Sequence, residues 1–583
     1  MLGRLTTMRW LGIMLLASVI ACEQAEVPSP SSTSSPSLSA SSASPSATPI
    51  VAREETPRLL LSIPYAPPTV DKLGATATRI GGVTPRGPGS LAVDENDRIY
   101  IWDRARLRVV VYGGGKFERA IALPYVEQEA NALLVDGDRL YLRAGSDRFA
   151  SIEYEIDGPT GALLRAVSSE GGSIYPRRRG RPQPSATRDS FGADAAGLDY
   201  SYTSTPQIAQ SRYERVDLAR GAVAYAIEPA PEKLIDAYVR ADGGLYELAA
   251  DFVGVGSVYV YALLAPSGVA RPPSPPIAAP ATPLAFGRPV PDRLIATLAE
   301  AGSVDLDAQS RMAVWWLASL AKERTDLPAP PYGPLLLARW NDGSKLDVVV
   351  DGSLLFVDGK IYTGPAAAYQ QLASYALASP SRLAELTARG ATIRIPDLPG
   401  LQRNLTTAEL VDLRASLSKG FSVSEGELPF MLEDPFPLYE IALGDVVIRT
   451  RGNDYGSVGK LRTGAFVHDG TLDDLVRSWL PVPPISVNDP HSLFLADTVV
   501  LDQVERGGIQ DITRWKASIV RALSAVTPSE QSEFVQVKAF TFTFEFSSGR
   551  TETVQVRAGA FTYRGRVIPL AGALNLSLFG GVP

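Results

Sequence analysis

Ser90-Leu-Ala-Val-Asp94-Glu-Asn-Asp97-Arg-Ile-Tyr100-Ile-Trp102-Asp103, continued by Arg108-Val-Val-Val-Tyr112-Gly, is the most regular stretch of the chain. A short apolar run leads into an Asp/Asn turn. An apolar strand carrying a Tyr follows, and a third apolar run ends at glycine. Aliphatic and aromatic residues bounded by Asp, Asn and Gly read as short β-strands joined by tight turns. The pattern returns about 41 residues later as Ala132-Leu-Leu-Val-Asp136-Gly-Asp138-Arg-Leu-Tyr141-Leu, then Ile152-Glu-Tyr154-Glu-Ile156-Asp157-Gly158. A third copy runs from Ala237 through Asp242-Gly-Gly-Leu-Tyr246 to Ser257-Val-Tyr-Val-Tyr261, and a degenerate one occupies 196–228, around Tyr213 and Tyr225. Leu59-Leu-Leu-Ser-Ile-Pro, within 59–83, can add a unit or complete one.

Several strands per repeat of 40–45 residues mark a β-propeller. The segment Gly87 to Tyr112 resembles a blade of the NHL-repeat family, with Asp94, Ile99, Tyr100, Ile101 and Asp103 on the family pattern. The second copy has a turn one residue shorter and no closing Asp after Leu142. Residues 57–270 are therefore expected to form a β-rich, propeller-like domain, with an open sandwich of hairpins as the rival fold.

Upstream the texture is different. Arg4 and Arg9 precede an apolar run from Trp10 to Ala21 that is about half of the ~20 residues a membrane-spanning helix needs. The run ends in Val19-Ile20-Ala21-Cys22, which resembles the lipobox of bacterial lipoproteins at all four positions. That resemblance implies a signal peptide over 1–21 and attachment of diacylglyceryl and acyl chains, palmitate among them, at Cys22. It also implies a place on the extracytoplasmic face of a cell membrane. Two or more acyl chains hold a protein stably where one does not. Cys22 is the only cysteine, so no intrachain disulfide is available. Residues 28–49 hold 11 Ser, 5 Pro, 2 Thr and 3 Ala among 22 positions, so 22–56 are expected to be a disordered tether.

Downstream, 271–300 is expected to be a Pro-rich linker. Residues 301–583 alternate helix and strand, so the fold class is multidomain, a propeller-like region followed by an α+β region. Three helices are expected. Asp307–Arg324 carries Met312, Trp315, Trp316 and Leu320 on one side; Thr406–Lys419 opens with a Thr406-x-x-Glu409 capping box; Asp511–Val526 carries Ile512, Trp515, Ile519 and Leu523. A hairpin cluster follows each. Trp340 to Leu355 and Phe546 to Phe561 are both 15 apart, and Gly343 to Gly359 and Gly549 to Gly565 both 16, with Val446–Ile448 and Phe466–Gly470 as a looser middle copy. Three degenerate helix-plus-hairpin repeats are the expectation.

The chemistry is sparse. There are two histidines, His468 and His491, in separate segments, which leaves no His/Cys zinc set. Gly456-Ser-Val-Gly459-Lys460-Leu461 lacks the first Gly and the Ser/Thr of a phosphate loop, and Gly113-Gly-Gly115 opens no helix. Asp94, Asn96 and Asp97, or Asp136 and Asp138, are spaced like calcium ligands but read first as turn residues. Tyr200, Tyr202, Tyr246, Tyr259 and Tyr261 read first as packing residues and second as a binding face. Arg177-Arg-Arg-Gly-Arg181 reads as an exposed loop insertion, with attraction of an acidic polymer or lipid head groups as the second reading. A net charge of −7 gives no basic footprint for nucleic acid.

No catalytic, cofactor or metal residue is assigned; Cys22 is the one site residue. The chain reads as a membrane-anchored binding or scaffold protein for an envelope protein or polysaccharide. The alternatives are a carboxylate- or metal-dependent envelope hydrolase on the propeller-like domain, and a solute-binding lipoprotein, against which the repeats argue.

Overall fold

The computed structural model describes residues 57–569 apart from intervening stretches, the longest being 266–281, 424–436 and 525–539. Cys22, its leader and the Ser/Pro tether lie outside the described residues. Among the described residues no helix is long and apolar enough to cross a membrane.

Strand β1 (Arg58–Pro64) opens the chain, and a short ladder of β2 (Thr76–Ala77) with β3 (Pro85–Arg86) follows. The opening motif then folds as an antiparallel meander of β4 (Ser90–Val93), β5 (Ile99–Asp103), β6 (Arg108–Gly113) and β7 (Lys116–Ala122). Its second copy forms β8 (Ala132–Asp136), β9 (Arg139–Ala144), β10 (Ile152–Asp157) and β11 (Leu163–Ser168). The degenerate copy forms β12 (Asp189–Ala193), β13 (Asp199–Thr205), β14 (Gln210–Asp217) and β15 (Ala222–Ile227). The last sheet has three strands from its own stretch, β16 (Lys233–Val239), β17 (Leu245–Asp251) and β18 (Ser257–Leu264). Its fourth is β1, with Ile63 opposite Val258, so the 59–64 stretch completes a sheet and forms no separate unit.

In the first two sheets burial falls from the first strand to the last. β4 and β5 are buried at every position, whereas β7 exposes Lys116 and Glu118. A strand covered on both faces has no polar side to show, which explains the unbroken Leu91-Ala-Val and Ile99-Tyr-Ile-Trp runs. Tyr200, Tyr202, Tyr246 and Tyr261 are all buried, so the strand tyrosines are packing residues, with Tyr259 partly buried beside them.

The second half holds three more antiparallel sheets. The first contains β19 (Arg293–Leu298), β20 (Gly302–Asp305), β21 (Lys322–Arg324), β22 (Leu335–Arg339), β23 (Lys345–Asp351), β24 (Leu354–Val357) and β25 (Lys360–Thr363), with α1 (Ala308–Ser319) between β20 and β21. Helices α2 (Ala366–Leu377) and α3 (Pro380–Leu386) follow it. The second contains β26 (Thr392–Arg394), β27 (Gln402–Asn404), β28 (Phe421–Val423), β29 (Tyr439–Leu443), β30 (Val446–Thr450), β31 (Tyr455–Val458) and β32 (Gly464–Val467), with α4 (Thr407–Leu417) between β27 and β28 and α5 (Thr471–Trp479) after β32. The third contains β33 (Thr498–Gln503), β34 (Gly508–Asp511), β35 (Phe540–Glu545), β36 (Thr551–Arg557), β37 (Ala560–Tyr563) and β38 (Arg566–Pro569), with α6 (Lys516–Ser524) after β34.

The first two of these sheets share one strand order: second strand, first, then the four-strand meander, then the third strand. Among the described residues the third sheet has the same order without the last member. Gly343 turns β22 into β23, Gly359 turns β24 into β25 and Gly549 turns β35 into β36, each at positive φ. Asp307 caps α1 by accepting from Ser310 N, and Thr406 and Glu409 form the reciprocal box on α4.

Three expectations are corrected. The helix drawn from Asp511 begins at Lys516, because Asp511 ends β34 and its carboxylate caps Thr513 in a turn; Trp515 is outside the described residues. Phe466–Gly470 is no hairpin turn: Phe466 lies in β32 and Gly470, at φ 81°, is the N-cap of α5. The expected linker is in part built structure. Ala285 pairs with Arg288, Phe286 packs edge-on against Trp315, and β19 starts at Arg293.

One hydrophobic cluster runs from Leu61 and Trp102 in the β-rich half to Trp315, Tyr369 and Trp479 in the other. Polar side chains stitch the same boundary. Gln309 Nε2 donates to Gly161 O at 2.6 Å, and Gln371 Nε2 to Pro124 O and Val126 O at 2.9 and 2.7 Å. A smaller cluster, from Leu493 to Tyr563, serves the third sheet.

Candidate functional site on the inner strands

The Arg177–Arg181 segment corrects the reading of an exposed insertion. It runs antiparallel to β12, with Arg179 bridged to Gly192 and Gly180 N donating to Phe191 O at 2.6 Å. Extended backbone sends alternate side chains the same way, so Arg177, Arg179 and Arg181 share one side. The Arg179 side chain is 1% exposed. Its Nε donates to Leu133 O of β8 at 2.8 Å, and one terminal nitrogen donates to Ala237 O of β16 at 3.0 Å. The other donates to Ser90 Oγ and Leu91 O of β4 at 2.9 and 3.2 Å and to Asp236 Oδ2 at 2.5 Å. One guanidinium thus joins three sheets from a segment paired to the fourth, a task that uses its fan of five donors. Asp236 Oδ2 also accepts from Ser90 Oγ at 2.5 Å and Leu91 N at 2.9 Å, and Leu133 N donates to Ser90 Oγ at 2.9 Å.

Strands β4, β8, β12 and β16 all run toward a turn at one end. The arginine segment runs the other way, so Arg177 lies nearest those turns. Its guanidinium donates to Tyr238 Oη at 2.6 Å, to Ala193 O at 3.1 Å and to Val239 O. Arg181 lies two residues further along the segment and donates to Ile235 O at 2.7 Å.

The aspartates that end the inner strands are turn residues. Asp94 Oδ1 accepts from Asn96 N and Arg98 N at 2.8 and 2.9 Å. Asp194 Oδ1 accepts from Leu198 N at 2.9 Å, and Asp242 Oδ1 from Gly244 N at 3.1 Å. Among the described residues no group of three or more His, Cys, Asp or Glu side chains converges as a metal-holding set.

The turns at Asp94 and Asp136, with Gly158-Pro159 and Arg240-Ala241, line a cleft of about 140 Å3. Four arginines, Arg98, Arg119, Arg177 and Arg240, and four acids, Asp94, Glu95, Asp136 and Asp138, line it with Tyr100 and Tyr238. Arg240 binds Asp242 at 2.8 Å and Asp97 at 2.5 Å, and lies over the Tyr246 ring. Burial works against its charge, but the bonds to Asp242 and Asp97 outweigh that and hold it more firmly protonated than an ordinary arginine. Tyr100 Oη donates to Asp94 Oδ2 at 3.2 Å; burial first, then the Asp94 charge, pushes its hydroxyl above the usual range.

The histidines stand apart from this cleft. His468 is buried at the β32–α5 junction, where Nδ1 accepts from Gly470 N at 3.1 Å, and His491 pairs with Asp489 at 2.7 Å. Asp103, which closes the NHL-like pattern, is wholly buried and accepts from Arg108 Nε at 3.0 Å and Gly74 N at 3.1 Å. It fastens the chain before the first sheet. Of the cleft arginines, the sequence points to Arg177 alone, through the second reading of the Arg177–Arg181 run; Arg98, Arg119 and Arg240 carry no signal there. The available signal was Arg at 177, 179 and 181, the period-2 spacing of one strand face.

No family model matches the chain, and no curated protein does. Among solved structures, it is similar to the WD40 β-propeller domain of Doa1, at 11% identity and TM-score 0.13, covering 30% of this chain and 50% of that one. The chain thus spans about half the length of that domain. It is also similar to an exo-β-1,3-galactanase from Clostridium thermocellum (13% identity, TM-score 0.15, 52% and 89% covered). A third is a Bacteroides ovatus xyloglucan-locus protein named GH43B (9% identity, TM-score 0.17, 69% and 84% covered).

Proposed function

We propose that this chain is a lipid-tethered extracytoplasmic binding protein, anchored through Cys22, whose four small β-sheets form a four-bladed propeller. Its partner is an envelope polysaccharide or protein. The three α+β sheets are proposed to be copies of one unit that carries this head, a reading supported by their common strand order.

The observation that carries the binding reading is Arg179. A hydrolase working through carboxylates at the axis needs those carboxylates free to face substrate. Here the axial position holds a guanidinium bonded to three sheets, and Asp236 is committed to Arg179, Ser90 and Leu91. At the mouth, Asp94 and Asp242 are committed to backbone N–H groups and to Tyr100 or Arg240.

The test is incubation of the purified chain with cell-envelope polysaccharide. Binding predicts co-sedimentation with no release of soluble reducing ends. Release of reducing ends that stops when Asp94 and Asp136 are changed to Asn establishes the hydrolase instead.

A further inference from the structure

The groups lining the mouth cleft differ in how far they are already spent. Asp94 has both carboxylate oxygens engaged, by Asn96 N, Arg98 N and Tyr100 Oη. Arg240 is saturated by Asp97, Asp242 and Asp94 O. Arg177 is different: its partners are two backbone carbonyls and the Tyr238 hydroxyl, all neutral acceptors, which leaves its charge uncompensated and donors to spare. Arg119 is paired in the β6–β7 ladder by its backbone, but its guanidinium makes no hydrogen bond or ion pair among the described residues, although the residue is only partly exposed. Arg98 stands at 3.8 Å from an Asp94 already committed elsewhere. Among the acids, Asp138 is exposed in the Asp136–Arg139 turn; its backbone carbonyl accepts from Gly158 N at 2.8 Å, and its carboxylate accepts no hydrogen bond among the described residues. Arg119 and Arg177 are thus the cleft guanidinium groups with no carboxylate partner among the described residues, while Arg98 and Arg240 are paired with acids.

We infer that the mouth cleft is a binding site for a small oxyanion, a carboxylate or a phosphate group carried on an envelope polymer, held by Arg119 and Arg177 with Arg98 at the rim. A guanidinium presents paired N–H donors that match either group. A volume of about 140 Å3 admits one such group with its immediate substituents. This inference rests on the binding reading above and specifies what that surface reads.

Two probes separate the two sources: glucuronate for a carboxylate on a sugar, glycerol 3-phosphate for a phosphate. Calorimetric titration of the purified chain at low salt is expected to show saturable binding of one of them, weakening as salt rises. Arg119→Gln, which breaks no internal bond, is expected to weaken binding by about tenfold at unchanged melting temperature. Asp138→Asn is expected to strengthen it severalfold. Arg177→Gln also removes bonds to Ala193 and Val239, so Arg119→Gln is the deciding variant. Saturation by neither probe, or wild-type affinity in Arg119→Gln, overturns the inference. If polysaccharide still co-sediments in that case, the binding reading stands and only the oxyanion site is lost.

Discussion

Replacing Arg179 with Met is expected to destabilise the protein by about 3–5 kcal/mol, the cost of leaving a buried charge without its partner. The change strands Asp236, which is 0% exposed, and removes the donors that Leu133 O, Ala237 O and Leu91 O now use. Arg178→Ala, one residue away, is expected to cost clearly less, about 1 kcal/mol. That side chain is 58% exposed, and although its partner Asp199 is buried, their contact is long, at 3.5 Å. Urea unfolding of the two variants makes the comparison directly. Equal losses would mean that the axial segment is held by its backbone alone.

Trp315→Ala is the second large effect, expected to cost about 3–5 kcal/mol as a large buried aromatic truncation. Trp315 is 1% exposed on α1, packs edge-on to Phe286 and Trp340 at 6.2 and 5.7 Å, and donates from Nε1 to Arg288 O at 2.9 Å. Loss of the indole opens a cavity and takes one of two donors from Arg288 O, which keeps Ala285 N at 3.0 Å. Trp315→Phe keeps most of the volume and is expected to cost clearly less. Because the same hydrophobic cluster contains Trp102 and Trp315, Arg179→Met and Trp315→Ala are expected to shift one common unfolding transition. Two separate transitions would show that the halves fold independently.

The parts of the fold legible in the sequence are those decided locally. The Asp-turn-Tyr motif folds as written because its turn bonds span two to four residues, as at Asp94. The capping box on α4 is equally local. The arginine segment was misread because its burial depends on acceptors 46, 57 and 89 residues away, at Leu133, Asp236 and Ser90. Composition alone assigns a cluster of arginines to solvent, and only the convergence of three strands, β4, β8 and β16, makes it an interior group. Helix α2 escaped notice for a related reason. Its Ala-Ala-Ala-Tyr-Gln-Gln-Leu-Ala sequence lies between the two halves, and Ala368, Tyr369, Leu372 and Ala373 are all buried, so no polar face marks a helical period. Helix α5 does carry that period, in Leu472, Leu475, Val476 and Trp479, but the preceding Gly470 suggested a hairpin. The linker was read from proline content, which does not reveal that Phe286 has an aromatic partner on α1.

The central claim, that this body is displayed from a membrane by a lipid on Cys22, is tested most directly by changing Cys22 to Ala in cells given labelled palmitate. The account predicts that the wild-type chain takes up label and partitions with membranes. The variant is predicted to take up none, to keep its leader uncleaved at position 22, and to lose the lipid-dependent partition into detergent. A variant that is processed and fractionates as the wild type does would contradict it.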